Sequence, residues 1–208
     1  ASYYNYGIIT GDITLILGGD IYGNDRIIFT DGTGNSNPNN YKITIRPDGN
    51  TVRTMENVDT TFTQYNMHFD NIRNLTIDGR DPNTGTGKYL RFVNNADESN
   101  QTRSIAYFGS NAHKNTIRNC ILESNSTNDA VVLFDNYYST NGCDSNTFSN
   151  CDFKPSNGTY PGRYRMGVSF ASLLTADSGT SATKIDSCDF VDFYSFCINM
   201  EKASSNQN

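Results

Sequence analysis

Thr116-Ile117-Arg118-Asn119-Cys120-Ile121-Leu122, Thr147-Phe148-Ser149-Asn150-Cys151-Asp152-Phe153 and Lys184-Ile185-Asp186-Ser187-Cys188-Asp189-Phe190 are three renderings of one phrase. From its second residue each reads apolar, polar, Asn or Ser, Cys, any residue, apolar. A β-strand alternates its faces with period two, yet here the two halves are out of phase by one residue. A single bend residue between them, Asn119, Asn150 or Ser187, restores the phase. Asn tolerates the left-handed backbone that so tight a bend requires.

The opening of the phrase recurs upstream as Ile13-Thr14-Leu15, Ile43-Thr44-Ile45 and Leu75-Thr76-Ile77, at intervals of 30 to 40 residues along the chain. A strand-like phrase at an elastic period is the signature of a solenoid. Each late copy is followed by a second strand-like run: Ala130–Phe134, Met166–Phe170 and Phe196–Ile198. Loops rich in Ser, Asn, Gly and Asp separate these runs, and no window keeps a 3.6-residue period. The reading is an all-β chain, a right-handed parallel β-helix of about six coils. At ~4.8 Å per coil it would span roughly 29 Å. A β-sandwich has no need of one phrase recurring in one order, so the solenoid is preferred. Stacking sets like on like. One inward column is Leu15, Ile45, Ile77, Ile117, Phe148 and Ile185, a second Cys120, Cys151 and Cys188, and a third Leu122, Phe153 and Phe190. Residues 1–208 read as a single domain whose coils over 1–60 are less regular.

Hydrophobic residues make up 36% and charged residues 18% of the 208, both low for a globular chain. The 13 Tyr and 12 Phe set it apart from a disordered chain of equal polarity and announce a thin but real core. A net charge of −6, with Arg163-Tyr164-Arg165 as the longest basic concentration, excludes a nucleic-acid backbone as partner. No stretch reaches the ~20 apolar residues of a membrane span, and no signal peptide is present. The start at Ala1 and the uncapped Glu201–Asn208 end suggest a piece of a longer chain, since solenoids need polar caps. An uncapped coil exposes strand edges, so end-to-end self-association is expected.

Tyr41-Lys42-Ile43-Thr44-Ile45-Arg46-Pro47, Asn71-Ile72-Arg73-Asn74-Leu75-Thr76-Ile77-Asp78-Gly79-Arg80 and Asn115–Cys120 resemble the pectate-lyase-like right-handed β-helix superfamily. More narrowly, the chain is similar to large secreted β-helix proteins of Bacteroidetes. That resemblance implies export by type IX secretion and an extracellular or cell-surface location. Polysaccharide lyases of the superfamily use Asp clusters with Ca²⁺ and a basic residue as base. Asp152, Asp189 and Asp186 with Lys154 are the catalytic candidates this puts forward, and Asp192, Arg118 and Lys184 lie nearby in sequence.

Asp152 and Asp189 fall at the same outward position of successive coils. Stacked carboxylates repel unless a cation bridges them, which makes them candidate Ca²⁺ ligands; the plainer reading is two solvated turn acids. No other cofactor motif is present. Asp78-Gly79-Arg80-Asp81 is the densest charged cluster and reads as a glycine-enabled turn with a local Asp–Arg pair. The cysteine column reads as buried small hydrophobes rather than a zinc site, whose ligands would converge tetrahedrally. Cys143, in a polar loop, is the candidate exposed thiol, and His113 reads as a solvated loop residue. Sequons stand at Asn74, Asn100, Asn125 and Asn157, and Asp59-Thr60-Thr61 resembles a short O-glycosylation motif.

Tyr137, Tyr138, Tyr160 and Tyr164, flanked by Asn and Asp, suit stacking on sugar rings, as do Tyr3, Tyr4 and Tyr6. Together these features lead to a binding or adhesive module with a glycan or cell-surface partner. A polysaccharide lyase or hydrolase acting on acidic glycans, and a structural stalk, are the alternatives. An enzyme requires a groove with convergent acids and a base, an adhesin a flatter aromatic and amide surface.

Overall fold

A computed structural model of the chain describes residues 10–23, 27–30, 41–57, 65–95, 104–109, 111–124, 130–135, 143–155, 166–172, 182–193 and 196–202. The first coil is β1 (Ile13–Leu17), β2 (Ile21–Gly23) and β3 (Ile27–Thr30); the second is β4 (Ile43–Pro47), β5 (Arg53–Asn57) and β6 (Tyr65–Asp70). The third comprises β7 (Leu75–Asp78), β8 (Leu90–Asn94) and β9 (Ser104–Phe108), the fourth β10 (Thr116–Arg118), β11 (Cys120–Ser124) and β12 (Ala130–Asp135). The fifth holds β13 (Thr147–Ser149), β14 (Asp152–Pro155) and β15 (Met166–Ser172), the sixth β16 (Lys184–Asp186), β17 (Asp189–Phe190) and β18 (Phe196–Lys202).

Each coil gives one strand to each of three six-stranded parallel sheets. We call these sheet A (β1 and every third strand onward), sheet B (from β2) and sheet C (from β3). The fold is thus a parallel β-helix, and no helix of the described residues is long and apolar enough to cross a membrane.

The register follows the repeated phrase. Leu15 pairs with Ile45, Ile45 with Ile77, Ile77 with Ile117, Ile117 with Phe148 and Phe148 with Ile185. Outside the same sheet, Thr14, Thr44, Thr76, Thr116 and Thr147 form a threonine column that Lys184 ends. In sheet B the inward column is Ile21, Met55, Phe92, Leu122, Phe153 and Phe190. Leu15 requires a correction. It is in register with the core column but 50% exposed, because no described coil covers the outer side of β1.

Sheet C carries a phenyl ladder, in which Phe69, Phe108, Phe134 and Phe170 stack at centroid separations of 4.3, 4.6 and 4.7 Å. Parallel coils force identical side chains into face contact, and each such pair adds about 0.5–1.5 kcal/mol beyond burial.

The bends explain the polar letters of the phrase. Asn119, Asn150 and Ser187 have φ of 54°, 51° and 53°, the left-handed conformation expected of the phase-restoring residue. Their counterpart in the third coil is Gly79, where an added Cβ would lie 2.0 Å from the Asn119 carbonyl oxygen. Only a bare backbone fits that approach.

A second bend precedes sheet A at Asn74, Lys114, Ser145 and Ala182, with φ of 59°, 55°, 58° and 52°. Just inside it, Asn115 and Asn146 build a buried amide ladder. Asn115 Oδ1 accepts from the Leu75 amide and Asn146 Oδ1 from the Asn115 amide, at 3.1 and 3.0 Å. Their Nδ2 groups donate to the Ile72 and Ala112 carbonyls at 3.0 and 2.7 Å. Backbone groups that the bend takes out of the strand ladder thereby find partners inside the core.

Candidate functional site

The outer face of sheet B brings Asp152 and Asp189 together as register neighbours on β14 and β17. A lysine sits between them. Lys88 Nζ forms an ion pair with Asp152 and lies 3.9 Å from Asp189 Oδ2. It arrives from outside the repeat, on a turn over residues 81–88. There Asp81 Oδ1 accepts the Asn83 amide at 2.9 Å and Asp81 Oδ2 the Thr84 hydroxyl at 3.0 Å. The amide bond from Asn83 leads the effects that hold the Asp81 carboxyl below the ordinary carboxylate pKa. The cation that stacked acids require is here a side chain of the same protein.

Next to this pair, Glu123 on β11 is only 5% exposed. Arg91 Nη2 lies 2.5 Å from its Oε2 and Lys154 Nζ 3.1 Å from its Oε1. The hydrogen bond to Glu123 raises the Arg91 pKa. Lys154 is therefore a neighbour of Asp152 along β14 whose charge Glu123 takes up. Asp186 stands apart on sheet A, ion-paired to Lys184 at 2.9 Å, which lowers its pKa. Asp192 is an exposed bend residue with φ of 59°. Among the described residues, no three His, Cys, Asp or Glu side chains group so as to hold a metal ion.

The Asp78 cluster lies at the corner between sheets A and B. Its Oδ2 accepts from Arg80 Nη2 and Arg118 Nη2, each at 2.7 Å, and its Oδ1 from Asn119 Nδ2 at 3.2 Å. Burial by itself raises the Asp78 pKa, and the bonds from Arg80 and Arg118 outweigh it, so the carboxyl titrates below its ordinary range. Arg118 is spent on this corner rather than on the Asp152 face.

The outer face of sheet C carries an aromatic cluster. Tyr65 and Tyr107 stack at 4.3 Å and 25°, and His68 meets Tyr107 edge-on at 5.0 Å. Tyr107 and His68 are half-buried and Tyr65 is buried. Gly109 lets the rings lie close, since a Cβ there would come 3.2 Å from the Tyr107 ring and 3.4 Å from His68 Nε2.

The sequence shows the sheet C run plainly only in the last three coils, so none of these three residues is among its candidates. Stepping that run back gives Ser104–Phe108 and Tyr65–Phe69, with Tyr107 and His68 in register. Tyr3, Tyr4, Tyr6, Tyr137, Tyr138, Tyr160 and Tyr164 lie outside the described residues. So do Arg163, Arg165, the sequons at Asn100, Asn125 and Asn157, and Asp59-Thr60-Thr61.

The five cysteines are free thiols. Cys120 and Cys151 are buried and Cys188 is half-buried. A hydrogen bond to Cys120 first, then burial, pushes the Cys151 thiol pKa up; the bond to Cys151 leads the same upward shift at Cys188. Thiols so disposed are poor nucleophiles. Cys143 is a correction: it is fully buried, its thiol against the Gly109 carbonyl, and Cys197 is the exposed cysteine.

His113 is also corrected. It is half-buried, with Nδ1 accepting the Asp144 amide at 3.0 Å and Nε2 3.3 Å from Asn111 Oδ1. Burial lowers its pKa and holds it neutral.

No family model, curated protein or solved structure matches this chain.

Proposed function

We propose that this chain is an exported, cell-surface or extracellular β-helix module that binds glycans on the outer face of sheet C. The observation that carries the proposal is the stacked Tyr65–Tyr107 pair, 4.3 Å apart, with Tyr107 half-exposed and His68 set edge-on beside it. A rigid aromatic surface packs against the C–H faces of a sugar ring at little entropic cost. The parallel sheet behind it sets His68 opposite Tyr107 and gives the rings a rigid base, as a preorganised site requires. In origin the module is of the pectate-lyase-like kind, close to the secreted β-helices of Bacteroidetes and their type IX export. A glycan-array screen with the wild type and Tyr107→Ala tests the proposal. Binding that is lost in the variant supports it, and the same binding in both removes the site.

One observation favours a second reading, a polysaccharide lyase or hydrolase on sheet B. Asp152, Glu123, Lys88, Arg91 and Lys154 form one continuous charged face there. Asp152 and Glu123 already have close basic partners there, which leaves neither of them free to work as a base. An assay on acidic polysaccharides, with and without Ca²⁺, separates the two. Release of unsaturated sugars would establish the enzyme.

A further inference from the structure

We infer that the outer face of sheet A binds an acidic glycan chain, laid along its threonine column on the second to fourth coils. Thr44, Thr76 and Thr116 are in register there, and their short hydroxyl side chains form a floor. Basic side chains flank that floor on both sides. Exposed Lys42, Arg73 and Lys114 stand where the chain enters β4, β7 and β10. Across the column, Arg46 points outward between buried Ile45 and Pro47, and Arg118 is in register with Asp78.

The carboxylates beside this face are already engaged. Asp78 serves Arg80 and Arg118, Asp48 pairs with Arg53 at 2.7 Å, and Asp81 is bonded to Asn83 and Thr84. Asp12 accepts the Lys42 amide at 2.8 Å, and Asp144 lies beside His113. Lys42, Arg46, Arg73 and Lys114 enter no ion pair among the described residues. Arg46 Nε is buried and has no hydrogen-bond partner among them. A donor left open in that way is costly, and the fold makes no use of this guanidinium. Arg80 and Arg118 bind Asp78 through Nε and Nη2, so Nη1 of each is a further donor.

Charge and shape identify the occupant. The four residues from Lys42 to Arg46 set the basic sides about 13 Å apart, and Arg46 and Arg118 lie two coils, roughly 9.6 Å, from each other along the axis. A hydroxyl floor between two cationic sides suits one linear polyanion running along the helix axis. Guanidinium groups grip carboxylate or sulfate through paired N–H donors. Threonine hydroxyls both donate to and accept from sugar hydroxyls. Single-stranded nucleic acid relies on rings that stack its bases, and the outward residues of β4, β7 and β10 include none. No run of sequence displays this stripe, because each coil supplies only one or two of its bases to a chain of net charge −6.

Calorimetric titration of the 208-residue chain with heparin and with polygalacturonate tests the inference, with neutral dextran and single-stranded DNA as comparisons. The expected result is saturable binding to at least one of the two acidic glycans, weakened by sodium chloride, and none to dextran. The two acidic probes separate a preference for sulfate from one for carboxylate. Arg46→Gln should bind about tenfold more weakly, as for one lost charged hydrogen bond, and Arg46→Lys should keep part of the affinity. Arg46 has no bond in the fold to lose, and circular dichroism checks that both variants keep their β-structure. Arg46 is on sheet A, so this result is read independently of Tyr107→Ala on sheet C. Failure to bind either acidic glycan, an Arg46→Gln protein with wild-type affinity, or tighter binding of the DNA than of both glycans would overturn the inference.

Discussion

Lys88 reaches across 64 residues of sequence to form an ion pair with Asp152, placing its ammonium on the carboxylate face of sheet B. Without it, Asp152 and Asp189 would confront each other on adjacent strands with like charge, which is destabilising. Lys88→Met should lower stability by about 1 kcal/mol, as for a partly buried pair. The loss should grow at low ionic strength. Urea denaturation at two salt concentrations measures it, and equal stability of variant and wild type at both would discard the bridge.

Asp78 makes a second, more buried knot with Arg80, Arg118 and Asn119. Asp78→Asn should cost about 2–3 kcal/mol at neutral pH, because two guanidinium groups lose their counter-charge. The folded pKa of Asp78 lies below its ordinary 3.8. Its contribution is therefore complete above that pH and is lost as pH falls through the lower, folded value. His113, held neutral, adds a separate loss as pH falls below its ordinary 6.5, where the unfolded chain takes up the proton first. The stability profile against pH should show both descents in the wild type and a shallower lower one in Asp78→Asn, where Asp81 and Asp186 still titrate below their ordinary range.

The bend column makes a prediction by residue type. Asn150→Gly should be near neutral and Asn150→Ala should cost about 1 kcal/mol, since the left-handed backbone penalises a Cβ. Gly79→Ala should be far worse, because its Cβ would overlap the Asn119 carbonyl. Thermal melts of the three variants give the order directly. An Asn150→Ala as stable as Asn150→Gly would contradict the bend.

What the sequence made legible was whatever repeats by residue type. The sheet A column from Ile45 to Ile185 and the bends at Asn119, Asn150 and Ser187 fall where the phrase puts them, because parallel stacking turns a repeat into a column. The exposure of Leu15 was not legible, since a column says nothing of which member lies at its end. Nor was Lys88, which comes from a turn outside the repeat and meets its partner two coils on. Tyr65 and Tyr107 went unnoticed because the loops before sheet C vary in length and hide the phase of those strands. The burial of Cys143 was not legible either: its sequence neighbours are polar, while its thiol lies against the Gly109 carbonyl of the preceding coil.

Thiol chemistry separates the five cysteines. In the folded protein near pH 8, iodoacetamide should modify Cys197 quickly and Cys188 slowly. Cys120, Cys143 and Cys151 should react only after unfolding, given their burial and the raised pKa of Cys151. Peptide mass spectrometry reads the order. Early modification of Cys151 would show that the column is open to solvent.

The measurement that bears most directly on the account is calorimetric titration of wild type and Tyr107→Ala with a glycan selected on the array, circular dichroism confirming equal folding. Saturable binding to the wild type is expected, with at least a tenfold weaker affinity in the variant, about 1.4 kcal/mol for a lost stacking contact. Equal affinity of the two proteins would contradict it.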